Sequence, residues 1–377
     1  SYEFARRWAA AGHEVHVICG ATPSSPPGTK TEETGVHVHR LPTEYHANLS
    51  KAKRLRAFLS FAFRSSASAR QLHPDVVYAT STPLTVAIPA WAATAWRSAG
   101  YVFEVRDLWP DVPIAMGYLR NPILRFASRW LEEFAYLRAR HVVTLAPGMR
   151  DEICARGTPP HKVTVIPQGC DTDLFDETMN SYPETEPTWL HDRRVILYAG
   201  SLGRANGVDF VVELAKEARF RAPELAFVVI GDGPEADAIR DTAQLQGVLG
   251  VNYFHLSALS KTEVSIWFRR ASATLALFRG PRVLWKDAVQ NKFFDSVSAG
   301  RPVFSNFNGW QTQIAVAHGI GGQIDADPGS AVEQLAAAVS NLNWLAEVER
   351  KCRDLATFEF NRDEQARAAL ALLEKIS

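Results

Sequence analysis

The sequence predicts an α/β chain of two doubly wound parallel-sheet domains. Three observations predict it. The chain has 377 residues, too many for one typical domain. Short β-branched runs recur along it, each followed by helical patterning. The runs are almost continuously apolar, as strands covered on both faces must be.

In the first half the runs are EVHVICG, VHVHRLP, DVVYATS, YVFEVRD, HVVTLAP and KVTVIPQG. In the second half they are RVILYAGS, AFVVIGDG, VNYFHLS, ATLALF, RPVFSNF and GGQID. Between the two series lies QGCDTDLFDETMNSYPETEPTWLHDR, rich in Asp, Glu, Thr and Pro, which reads as a linker. The expected domains are residues 1–175 and 190–350. A closing helical segment, 351–377, is expected to pack back toward the first domain. Ligands of such folds bind at the carboxyl ends of strands, so the cleft between two facing sheets is the expected site.

Apolar residues make up 46% of the chain, enough for large cores, and the formal net charge is zero, which argues against broad nucleic-acid binding. The four cysteines (Cys19, Cys154, Cys170, Cys352) form no Cys-x-x-Cys, so no zinc site or disulfide framework is expected. A reducing cytoplasm fits. No apolar run is long enough to span a bilayer, and no signal peptide is visible.

Gly231-x-Gly233-x-x-Ala236 follows a strand and opens a helix, which is formally a dinucleotide fingerprint. The acid that fingerprint requires after the next strand is missing from VNYFHLSAL, so a tight turn lining a nucleotide pocket is the better reading. In YAGSLGRANG the backbone amides of Gly200, Ser201 and Gly203, with Arg204, are placed to face an anion. The turn lacks the Lys-Ser/Thr ending of a triphosphate-binding loop.

DAVQNKFFDSVSAGRPV carries the sharpest signal. Val289 to Asn291 begin a helix whose dipole and unpaired amides favour a phosphate. Lys292 stands in the first turn, where a cation is unfavourable unless an anion binds there. Asp295, one turn on, is suited to the two hydroxyls of a ribose. In FEVRDLWPD, Arg106 and Asp107 end a strand and face the expected cleft.

KAKRLRAFLSFAFRSSASAR, Lys51 to Arg70, has six cations and no acid. Leu55, Phe58, Leu59, Ala62 and Phe63 fall on one helical face, a pattern suited to an anionic membrane surface. Asp171-Thr-Asp173 resembles an acid-x-acid metal motif but is read as a helix cap and turn. No two histidines have metal-ligand spacing on a shared helix, so no metal is expected.

RRWAAAGHEVHVICG, KVTVIPQGCDTDLF, YAGSLGRANGVDFVVELA, FVVIGDGPE and NKFFDSVSAGRPV, in this order and spacing, resemble the retaining glycosyltransferases of family 4. The resemblance covers almost the whole chain. It implies the GT-B architecture, two Rossmann-like domains facing a cleft. FEVRDLWPD and the basic helix look like the WbuB-like group of bacterial surface-polysaccharide enzymes.

The resemblance implies a nucleoside-diphosphate sugar as donor, bound by the second domain, and a lipid-linked or glycan acceptor. It implies no cofactor and no metal. It also implies a cytoplasmic protein, peripheral at the inner face of the cell membrane. The family's Glu-x7-Glu corresponds in spacing to Asp287-x7-Asp295, which implies a ribose contact for Asp295 and a place near the donor sugar for Asp287. The family's diphosphate-binding Arg and Lys fall at Ser201 and Asn206. Lys292 with Arg204 is the expected replacement. The family also begins with a central strand and glycine-rich loop ahead of SYEFARRW, so a gap with unpaired edges is expected in the first sheet. The alternatives are a non-catalytic sugar-nucleotide-binding protein and a GT-B epimerase.

Overall fold

The structure is a computed structural model that describes residues 2–22, 25–32, 34–43, 49–95, 97–177, 190 and 192–377. It divides into two compact units, Ser1–Pro167 with Asp363–Ser377, and Gln168–Arg362. The middle of the acidic linker, residues 178–189, lies outside the described residues.

The first unit holds β1 (His16–Gly20), β2 (Gly28–Thr31), β3 (His37–Leu41), β4 (Val76–Thr80), β5 (Gly100–Val105), β6 (His141–Thr144) and β7 (Val163–Val165). These strands form two sheets, ordered β1-β3-β2 and β4-β5-β6-β7. All pairings are parallel except β2 with β3. The sequence pattern does not reveal β2. Its residues, GTKT, contain no apolar side chain and all four are exposed. Trp8, Val102, Val143, Ile166, Ala369 and Leu373 share one core, and the Trp8 indole donates to the Ala366 carbonyl at 2.9 Å. The helix Arg362–Ile376 thereby packs on the first unit.

The second unit holds β8 (Arg194–Ala199), β9 (Leu225–Ile230), β10 (Tyr253–Leu256), β11 (Ala273–Ala276), β12 (Val303–Ser305) and β13 (Gly321–Gln323). They pair in the order β10-β9-β8-β11-β12-β13, all parallel. Counted within the unit this is strand order 3-2-1-4-5-6, the doubly wound nucleotide-binding order. The chain reverses its winding between β8 and β11, so that is where a ligand crevice opens.

The basic helix spans Lys51–Gln71, with Ser50 as its N-cap accepting from the Lys53 amide at 3.4 Å. Its apolar residues do not all face one way. Ala62, Ser65 and Ala69 are buried, and Phe58 is half-buried. Leu55, Leu59 and Phe63, one turn apart, are exposed. Small side chains serve the inward face because the helix packs closely on the alanine-rich helix Ala87–Thr94.

Candidate functional site

Two turns meet at the switch point of the second unit. The turn after β8 runs through Gly200, Ser201 and Gly203, and the turn after β9 through Gly231 and Gly233. Gly200 and Gly231 have φ of 152° and 147°, which favour glycine. A Cβ on Gly231 would lie 2.0 Å from the Gly200 carbonyl oxygen, and one on Gly233 2.5 Å from that of Leu202. These glycines therefore exist first so that the turns can touch. That explains the fingerprint spacing without a dinucleotide.

The Gly200 amide does not face an anion as expected. It donates to the Ile230 carbonyl at 2.9 Å, because β8–β9 pairing continues one residue into the turn. The Leu202 amide donates to the Asp232 carbonyl at 3.0 Å. The amides of Ser201 and Gly203 have no partner among the described residues. The Tyr198 hydroxyl donates to the Ser201 carbonyl at 2.9 Å, and the Asn206 amide group donates to it at 2.8 Å. So the two residues at the positions of the family's Arg and Lys are joined in holding the turn. Arg204 is exposed in the short helical turn Arg204–Asn206.

The helix Asn291–Ser298 begins without a side-chain cap; the Phe293 amide donates to the Gln290 carbonyl at 3.2 Å, which leaves the Asn291 and Lys292 amides to solvent or a ligand. The Gln311 side chain accepts from the Gln290 amide at 2.9 Å and donates to the Gln290 carbonyl at 3.1 Å, which fixes the helix entry. Gly300, with φ 71°, ends the helix ahead of β12. Lys292 reaches from this helix to the glycine turn. A Cβ on Gly200 would lie 3.2 Å from Lys292 Cε and 3.4 Å from Nζ. The ammonium sits 4.7 Å from the Tyr198 ring centroid and donates to the Tyr198 hydroxyl at 3.5 Å, a long bond. Burial lowers Lys292 to about 8, against an opposing pull from Asp295. A desolvated, weakly partnered ammonium beside an uncapped helix start is suited to receive an anion.

Asp295 is buried, and its Oδ1 accepts from Lys261 on the helix Lys261–Arg270, leaving Oδ2 for another partner. Asp287 lies in the loop before the helix, 3.5 Å from the Lys286 ammonium, and Asn291 is exposed at the helix start. Tyr198 and Lys261 are residues that sequence reasoning misses. Tyr198 looks like ordinary strand core, and Lys261 looks like a solvated helix residue. Asp171 precedes the helix Thr172–Glu177 and pairs with Arg362 at 2.9 Å. The acid-x-acid motif is thus a helix start.

In the first unit, Arg106 and Asp107 follow the carboxyl end of β5, beside that of β4. The Arg106 amide donates to Ser81 Oγ at 3.0 Å, and Thr82 Oγ1 donates to Asp107 at 3.1 Å. Burial pushes the Asp107 carboxyl upward, against the pull of Thr82 and Arg106. The buried Glu104 accepts from the Tyr78 hydroxyl at 2.9 Å and from Thr80 Oγ1. None of Tyr78, Thr80, Ser81, Thr82 and Glu104 stands out in sequence, since hydroxyls at strand ends are common.

A 3-2-1-4-5-6 parallel sheet with a lysine at its switch point defines a nucleotide-binding doubly wound domain. Residues 1–169 match the family model described as Glycosyl transferase 4-like domain, and residues 193–343 match Glycosyl transferases group 1. The chain belongs to the family 4 glycosyltransferases of GT-B fold.

The chain is 24% identical over 270 residues to WcaI of Escherichia coli (strain K12), a protein named for glycosyl transfer in colanic acid biosynthesis. That match covers 66% of this chain and 65% of the relative. The chain thus spans less than two thirds of that relative's length. Sucrose-phosphate synthase from Thermosynechococcus elongatus shares the fold at TM-score 0.77 and 14% identity, over 99% of this chain and 92% of that one. Anabaena HepE in complex with UDP-glucose shares it at TM-score 0.70 and 12% identity, over 96% of this chain and 100% of that one.

Proposed function

We propose that the chain transfers a sugar, with retention, from a nucleoside-diphosphate sugar to a hydroxyl of a lipid-linked saccharide in polysaccharide biosynthesis. The observation that carries this reading is Lys292, whose desolvated ammonium lies against the Gly200 turn at the switch point.

The donor's diphosphate lies between that ammonium and the start of the helix Asn291–Ser298. Arg204 adds a second positive charge from the solvent side. Asp295 accepts from ribose hydroxyls through the oxygen that Lys261 leaves open, and Asp287 with Asn291 borders the donor. Charge develops on the departing diphosphate as the bond from the sugar C1 to its oxygen breaks. Lys292 and the helix amides stabilise that charge more in the transition state than in the ground state. The acceptor oxygen attacks C1 from the face the diphosphate leaves, and its proton passes to a departing phosphate oxygen. No protein nucleophile and no metal are required. Arg106 and Asp107 orient the acceptor or donor sugar.

A lipid-linked acceptor brings the first unit to a membrane surface. Among the described residues no helix is long and apolar enough to cross one. The exposed Leu55, Leu59 and Phe63 of the basic helix supply an apolar edge. A second stripe, Ile123, Phe126, Trp130 and Leu137 on the helix Pro122–Arg138, is exposed too, with Phe126 and Leu137 each at 75%. Both helices pack against the segment Leu84–Val86 and the helix after it. Arg56, Arg64, Arg125 and Arg138 lie on the same two helices. Exposed apolar stripes on helices that also carry arginine suit anionic lipid headgroups.

Incubation with UDP- and GDP-sugars and a lipid-linked saccharide tests the reading. Release of nucleoside diphosphate, with a product of the donor's anomeric configuration, is expected. Inverted product, or no release with any donor, would reject it.

A further inference from the structure

The three-stranded sheet of the first unit carries a cluster that the transfer reaction does not use. Its members come from neighbouring strands. Glu14 and His16 stand at the start of β1, His37 and His39 on β3, and Thr29 and Thr31 on the edge strand β2. Cross-strand register pairs His16 with His37, Thr31 with His37 and Thr29 with His39. Residues two apart on a strand share a face, so all of these side chains meet on one side of the sheet.

The His16 and His37 rings stack with centroids 4.8 Å apart, and the His16 and His39 rings 5.2 Å apart. His16 Nε2 lies 2.9 Å from Glu14 Oε1, and His16 Nδ1 lies 2.9 Å from His39 Nε2. Thr31 Oγ1 lies 2.9 Å from His37 Nδ1, and Thr29 Oγ1 3.1 Å from His39 Nδ1. One ligand atom each from Glu14, His16 and His37 falls within 4.8 Å of the others.

We propose that Glu14, His16 and His37 bind a divalent transition-metal ion of the zinc class, with His39, Thr29 and Thr31 as positioning residues. The hydrogen bonds supply what such a site needs. Thr31 occupies His37 Nδ1 and leaves Nε2 for the ion. His39 occupies His16 Nδ1 and leaves His16 Nε2, which already faces the Glu14 carboxylate. Metal-bound imidazoles are commonly held through their second nitrogen in this way. A carboxylate only accepts, so the atom between it and Nε2 is a proton in the metal-free chain and the ion in the bound one. Exchange needs only a tautomer shift along His16 and His39.

Bonds of about 2.0–2.1 Å bring two ligand atoms on one tetrahedral ion to about 3.3 Å apart. Closing from 4.8 Å falls to Glu14, which is exposed, and to half-buried rings at the sheet surface. Two imidazoles and one carboxylate favour zinc, nickel or copper over magnesium or calcium. They leave coordination positions for water. The cluster lies at the amino ends of β1 and β3, whereas Arg106 and Asp107 follow the carboxyl end of β5. The ion thus joins two strands and takes no part in transfer. No helical spacing rule finds the cluster, because its members alternate across strands.

The test is competition titration of Zn2+ against a chromophoric chelator, using the full chain without a histidine tag. One ion per chain is expected, with Mg2+ failing to compete. Glu14→Gln, at an exposed position that the fold does not need, and His37→Ala should each weaken binding about tenfold or more. His39→Gln should weaken it less. Unchanged affinity in both Glu14→Gln and His37→Ala would overturn the site, as would failure of the parent chain to take up Zn2+.

Discussion

Replacing Lys292 with Met keeps the packing of the aliphatic stem and removes only the ammonium. Lys292 falls from the ordinary 10.5 to about 8 because burial disfavours its charged form. That shift corresponds to roughly 3 kcal/mol of strain on the charged form at neutral pH. The unliganded Lys292→Met protein should therefore be more stable than the parent at pH 7, by up to ~3 kcal/mol. The sign with pH follows from the same shift. Between pH 8 and 10.5 the unfolded chain holds a proton on this lysine that the folded chain has lost. The parent's stability should rise across that window relative to Lys292→Met.

Ligand binding runs the other way. A diphosphate favours the charged lysine, so the parent's affinity should fall as pH rises through 8, by up to about tenfold per unit. Denaturant unfolding at pH 7, 8 and 9.5 reads the first effect, and diphosphate titration the second. A Lys292→Met protein less stable than the parent at pH 7, with diphosphate affinity unchanged, would mean that the ammonium is neither strained nor in contact with the diphosphate.

Three further expectations concern the same surfaces. Gly231→Ala puts a Cβ 2.0 Å from the Gly200 carbonyl oxygen at φ 147°, so thermal unfolding should show a loss of at least ~3 kcal/mol; a near-normal melting temperature would mean that the turns do not touch. Asp295→Asn should weaken nucleoside diphosphate binding roughly tenfold while inorganic pyrophosphate binding holds, and an equal loss for both would reject the ribose contact. Phe126→Ser with Trp130→Ser should abolish sedimentation with anionic vesicles at low salt, and retained sedimentation would remove the Pro122–Arg138 helix from the membrane reading.

Much of the fold was legible because parallel strands buried on both faces announce themselves. Every apolar run singled out in the sequence became a strand. β2 escaped because an exposed edge strand of Gly, Thr and Lys needs no apolar pattern. The inward face of the Lys51–Gln71 helix escaped for the opposite reason. Close packing on an alanine-rich helix selects Ala62, Ser65 and Ala69, while the large apolar residues turn outward. In the site, Lys292 was visible because a cation in a first helical turn breaks a local rule. Tyr198 and Lys261 break none; the approach of Lys292 to the end of β8 reveals the first, and the pairing with Asp295 reveals the second. The histidines of β1 and β3 are far apart in sequence and become a cluster only through strand register.

In the proposed function, the switch point around Lys292 holds the diphosphate of a sugar nucleotide. Thermal unfolding with UDP, GDP and ADP, each added in turn, tests it most directly. Stabilisation by one of them is expected, about 2.7 kcal/mol at a hundredfold excess over its dissociation constant, and none in Lys292→Met. No stabilisation of the parent chain by any of the three, or equal stabilisation of Lys292→Met, would contradict it.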